Sequence, residues 1–174
     1  MNFSIERSIE ILERTPAVLD ALLQDIPGDW TQPNEGPGTW SVYDIVGHLI
    51  HGEKTDWIPR MEIILSEKKD KAFIPFDRFA QFTTSKGKSL AQLLEEFKHW
   101  RAKNIATLVS KNIDTTTLKE KGIHPAFGEV TLSQLLAAWV VHDLNHIAQV
   151  SRVMAKQYKE AAGPWVEYLK ILQQ

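Results

Sequence analysis

The sequence predicts an all-α protein, a four-helix bundle with a short C-terminal helix. Three observations lead there. Apolar residues recur at helical spacings over four long segments. Three of those segments open on a capping-box pattern. No stretch alternates polar and apolar residues in the manner of a strand, and there is no internal repeat.

The first helical segment is Ser4 to Ile26, with Ile5, Ile9, Leu12, Leu19, Leu22, Leu23 and Ile26 on its apolar stripe. Pro16 lacks an amide proton and strikes the carbonyl four residues back, so the helix should kink or restart there. Thr15 as cap and Pro16 as first helical residue is the restart reading. Residues 27–39 hold Pro27, Gly28, Pro33, Gly36, Pro37 and Gly38 and read as a loop. The second helix starts after Ser41, whose box partner is Asp44, and runs to about Leu65, with Pro59 expected to bend or split it. A charged run from Ser66 to Lys71 and an irregular stretch follow.

The third helix opens on the Ser89–Gln92 box and reaches about Val109. Leu90, Leu93, Leu94, Phe97, Arg101 and Leu108 form its inner stripe, and His99 falls about 180° from Leu90, on the polar face. Residues 110–130 read as a loop. The fourth and most apolar helix opens on Thr131–Gln134 and runs to about Gln157. Gly163-Pro164 stops the chain, and Trp165 to Leu172 reads as a short terminal helix.

At 174 residues the chain reads as one domain, 1–174, able to bury a core without disulfides. Its 20 Lys plus Arg against 22 Asp plus Glu argue against a dedicated nucleic-acid binder, which needs surplus positive charge. With no cysteine, thiolate ligands, iron–sulfur clusters and cysteine nucleophiles are excluded, and a cytoplasmic location is expected. The N-terminus has no basic-then-apolar signal pattern, and the apolar run Val130 to Val141 is too short for a bilayer, so no membrane partner is expected.

Six histidines are present: His48, His51, His99, His124, His142 and His146. His142 and His146 are four residues apart, so their side chains leave one helix face about 40° apart and can reach a single metal ion. The same face carries Leu135, Trp139, Gln149 and Val153, which should point inward. Imidazoles among such neighbours need a metal, a water or a hydrogen-bond partner. His48, beside Ile45 and Leu49 on the second helix, is the candidate third ligand, and Gly52 one turn on would leave room for its ring. His51, about 60° around that helix, is an alternative or accessory ligand. Asp143 reads as a surface residue, or one behind the ligands, rather than a catalytic base. His124, before Pro125, reads as a surface residue that could cover a pocket mouth. The six tryptophans are core wedges or an aromatic pocket wall, and Trp139 suits both roles.

The run Trp40-Ser41-Val42-Tyr43-Asp44-Ile45-Val46-Gly47-His48-Leu49, with Trp139 to Val153, resembles the second and fourth helices of the DinB-like superfamily. Glu53, Trp57, Pro59, Arg60 and the proline of the first helix fit the same style. The resemblance implies an up-down-down-up bundle, often a homodimer. It implies a divalent metal, zinc or nickel, held by three histidines that map to His48, His142 and His146. It implies a small-molecule substrate, with metal-dependent hydrolysis or metal-assisted use of a low-molecular-weight thiol as the chemistry. Three imidazoles leave a coordination position open, so either metal-bound water or a bound thiol could be the nucleophile. The alternative is a non-catalytic protein that binds a metal or small ligand.

Overall fold

The computed structural model describes residues 3–173. Seven α-helices make up the body: α1 (Ile5–Leu12), α2 (Thr15–Leu23), α3 (Val42–Thr55), α4 (Trp57–Leu65), α5 (Gln81–Thr84), α6 (Leu90–Ser110) and α7 (Leu132–Lys156). The four rods of the bundle are α1 with α2, α3 with α4, α6, and α7.

All three capping boxes form. Ser41, Ser89 and Thr131 each accept from the backbone N–H three residues on, and Asp44, Gln92 and Gln134 reach back to the cap N–H. Both expected breaks also occur. The first rod restarts at Thr15, so Thr15 is the first helical residue and Pro16 the second. Arg14 occupies the cap position without a side-chain bond. The second rod breaks at Asp56, where φ is −110° and ψ −74°. Pro59 has no N–H to offer Thr55, and its ring would strike that carbonyl, so the ladder must open there.

Contacts along the rods set their directions. Tyr43 Oη donates to the Ser85 and Lys88 carbonyls at one end of the bundle, Lys54 pairs with Glu96 further along, and Lys111 with Glu62 at the far end. The second and third rods therefore run parallel. Leu12 packs with Trp57, Leu108 and Leu132, whereas Leu19 and Leu23 pack with Val42, Leu93 and Val150. The first and fourth rods thus oppose the middle two, which gives the up-down-down-up order.

Parallel neighbours cannot be joined by a tight turn. The connection between α4 and α6 crosses the whole bundle, carrying α5, and it packs on α3 at Gly47. A Cβ there would lie 2.3 Å from Ser85 Oγ. The expected loop at 110–130 instead contains an antiparallel hairpin, β1 (Lys121–His124) and β2 (Gly128–Thr131). Short strands with one apolar residue each leave no periodicity to read. The crossover docks on this hairpin: Phe73 N–H donates to the Ile123 carbonyl (2.8 Å) and Ile123 N–H to that of Lys71 (2.9 Å). The C-terminal segment is helical in the tighter 3-10 form, at Gly163–Glu167 and Lys170–Leu172. Among the described residues, no helix is long and apolar enough to cross a membrane.

Gly122 lets the crossover close on the hairpin, since a Cβ there would lie 2.4 Å from the buried Phe73 ring and 2.9 Å from Ile64. Gly122→Ala should cost about 1–3 kcal/mol by overpacking, read as a lower urea midpoint with an unchanged m-value.

Candidate metal centre

Three imidazoles meet on the inner faces of α3 and α7. His48 Nε2 and His146 Nε2 each lie 3.1 Å from His142 Nε2. The three candidate ligand atoms all fall within 4.8 Å of one another. His48 and His146 are buried and His142 half-buried. The pair on α7 follows from the helical repeat, while His48 arrives from the antiparallel α3.

Tautomers alone cannot satisfy this cluster. A neutral imidazole nitrogen offers either one proton or one lone pair. His142 Nε2 faces two nitrogens and can pair with only one. Gln149 Oε1 lies 2.7 Å from His146 Nδ1 and accepts its proton, so His146 Nε2 presents a lone pair. Nδ1 of His48 and of His142 are buried without a hydrogen-bond partner among the described residues. One cation at the convergence could take all three lone pairs, so the donor set fits a divalent ion.

Electrostatics keeps these rings neutral. Burial, reinforced by the neighbouring imidazoles, lowers His48 to about 3 and His142 to about 2. Burial also lowers His146, against the pull of Gln149 and Asp143. A ring that resists protonation keeps a lone pair that a metal could take.

A buried charge network lies under the imidazoles. Arg101 Nη1 and Nη2 donate to Asp143 Oδ2 (2.5 Å) and Oδ1 (3.0 Å). Arg101 Nε and Nη2 donate to Glu53 Oε1 at 3.1 and 2.7 Å, and Nη1 also donates to the Leu12 carbonyl at 2.8 Å. Trp139 Nε1 and Asn104 Nδ2 complete the shell of Glu53 at 2.9 Å each. Burial, with Asp143 adding to it, pushes the Glu53 carboxyl up against the pull of Arg101 and Asn104. Asp143 is wholly buried, which rules out the surface alternative and leaves the position behind the imidazoles. Its 100° offset from His142 aims it at α6 rather than at solvent. Arg101 does lie on the inner stripe of α6, where its apolar neighbours gave no sign of its carboxylate partners.

The histidines form the floor of a cleft of about 1010 Å³. Trp40 packs on them, its ring 4.6 Å from His48 and stacked at 14° on His146. Phe76 of the crossover meets His48 edge-on at 5.5 Å. His124 lines the cleft too, so it is more than a surface residue; its ring stacks on Phe127 at 4.3 Å. His51 stands apart from the three, with Nε2 3.3 Å from Thr55 Oγ1 and its ring against Phe76. His99 is exposed, as expected. The space at Gly52 accommodates the Trp57 indole, which lies edge-on to His142 at 5.1 Å and stacks on Trp139.

The sequence reading missed Asp56. It lies at the helix break, is buried, and lines the cleft. Its Oδ1 is 2.6 Å from Arg60 Nε but makes no aligned hydrogen bond. Burial pushes this carboxyl up to about 6, against the pull of Arg60. Pro59, three residues later, was the one sequence signal that marked the place.

The fold and site define a helical-bundle protein with a three-histidine candidate metal centre. The DinB superfamily matches residues 11–150, and the chain belongs to that superfamily. It is similar to the "Putative metal-dependent hydrolase YfiT" of Bacillus subtilis (strain 168), with 26% identity over 155 residues, 85% of this chain and 83% of that protein. A solved structure of YfiT from Bacillus subtilis is described as a probable metal-dependent hydrolase with an unusual four-helix bundle topology. It matches with a TM-score of 0.75 at 21% identity, over 90% of each chain.

Arg101→Met should destabilise the protein by about 3–5 kcal/mol, because it leaves two carboxylates buried and unpaired; chemical denaturation measures it. The histidines add a pH dependence to the metal-free protein. Their folded values lie below the ordinary 6.5, so from pH 6.5 down to about 3 the unfolded chain binds protons that the native state refuses. Stability is unaffected by them above that window and falls as pH drops through it. In chelator, His142→Gln should show a shallower decline than the parent between pH 6.5 and 3.

Proposed function

We propose that the chain is a metal-dependent hydrolase of small molecules, with His48, His142 and His146 as the ligands of one divalent ion, zinc or nickel. The observation that carries this is the contact of three Nε2 atoms that no choice of tautomers satisfies. The description of YfiT as a "Putative metal-dependent hydrolase" supports hydrolysis. An ion with three protein ligands keeps a position for substrate or water, polarises a carbonyl or phosphoryl oxygen, and lowers the pKa of water toward about 7.

The chain's own groups supply the rest. Gln149 fixes the tautomer of His146. Trp40 and Phe76 shield the imidazoles, excluding bulk water from one side of the cluster. Asp56, with its carboxyl near 6, can accept a proton at neutral pH from a group bound in the cleft. Arg60 keeps it oriented.

A second reading, transfer of a low-molecular-weight thiol, is favoured by one feature. A cleft of about 1010 Å³ has room for a co-substrate beside the molecule it attacks.

Protein purified without chelator should hold one zinc or nickel per chain by elemental analysis, and His142→Ala or His48→Ala should lose it while retaining helicity. Adding metal at a hundred times its Kd should stabilise the parent by about 2.7 kcal/mol and leave the variants unmoved. A parent that holds no metal and gains no stability from zinc or nickel overturns the reading. Ester, amide and phosphoester panels, each run with and without added thiol, separate the two chemistries.

A further inference from the structure

The cleft has a cationic wall as well as an imidazole floor. Three arginines line it: Arg60, Arg78 and Arg152. Two are already engaged. Arg60 Nε lies 2.6 Å from Asp56, and Arg152 holds both oxygens of Glu35 at 2.8 and 2.7 Å. Arg78, on the crossover, makes no ion pair with any described residue. Its guanidinium lies over the Trp40 ring, with Cζ 5.8 Å from the centroid, and 5.3 Å from the Phe79 ring. Trp40 is the ring that packs on His48 and His146. One indole thus separates an unpaired guanidinium from the three imidazoles.

We propose that Arg78 anchors an anionic group, carboxylate or phosphate, on the substrate, whose remaining part extends past Trp40 to the three-histidine centre. This rests on the reading of that centre as the reactive site. Three physical facts favour it. A guanidinium presents parallel N–H donors that match a carboxylate or phosphate in a bidentate fashion. Stacking on Trp40 restrains the fork in advance, which lowers the ordering cost of binding. With Asp56 ionised, the charged side chains lining the cleft leave one net positive charge, and it belongs to the arginine without a partner. Phe76 of the crossover and Pro125 and Phe127 of the hairpin line the cleft with apolar surface, and Phe127 is 77% exposed. The substrate class is therefore an anion carried on an apolar body.

Calorimetric titration tests this with hydrocinnamate, phenyl phosphate and the neutral hydrocinnamamide, on zinc-treated and on chelated protein. The parent should prefer at least one anion over the amide by about tenfold or more. Arg78→Met, at an exposed position, should abolish that preference without changing zinc content or melting temperature, and Arg78→Lys should restore part of it. Which anion binds tighter distinguishes carboxylate from phosphate. A parent with no anion preference overturns the proposal. So does an Arg78→Met protein that keeps the preference, since the anion then binds elsewhere. Zinc content of the same samples is a separate readout: a parent without zinc defeats the metal reading, and the chelated series still decides the role of Arg78.

Discussion

The structure depends on one buried guanidinium. Arg101 of α6 ties Glu53 of α3, Asp143 of α7 and the Leu12 carbonyl of α1 to a single point. Greasy contacts tolerate a helix sliding along its neighbour; directional bonds of this length do not. Trp139 adds a second tie from α7 to the same glutamate. Asp143 adjoins His142, and Glu53 lies five residues beyond His48. Fixing the carboxylates on one arginine therefore sets the height at which His48 meets His142 and His146. The network lies between two apolar clusters, one around Val46, Phe97 and Val150 and the other around Met61, Leu108 and Trp139.

The same network bears on charge. With both carboxylates ionised, it carries one net negative charge directly beneath imidazoles that burial keeps neutral. That charge would favour a cation beside the rings, while burial rather than the network keeps a proton off them. Both effects make the three nitrogens available as a donor set, which no single residue achieves alone.

Topology explains the cleft. Two parallel rods in the middle of a bundle require a crossover along its length, and that segment brings Phe76 and Arg78 over the histidines. The hairpin between α6 and α7 adds His124 and Phe127 from the other side. Both segments look like plain connections in the sequence, yet Pro75, Phe76, Pro125, Ala126 and Phe127 from them form most of the apolar lining of the cleft.

Local chemistry was legible from residues alone. The Ser41, Ser89 and Thr131 boxes, and the breaks near Pro16 and Pro59, act within one or two turns of helix and depend on no distant partner. The facing of His142 and His146 is likewise a consequence of the helical repeat. His48 was named from the sequence, but its distance from that pair, the burial of Asp143, the pairing of Arg101, the hairpin at 121–131 and the place of Asp56 in the cleft all involve partners tens of residues away. Their geometry exists only once rods running in opposite directions are packed and locked in register. The sequence thus determined the helices and the facing histidine pair, and the tertiary structure decided what stands opposite them, because side-chain periodicity carries no information about the angle or height at which two helices meet.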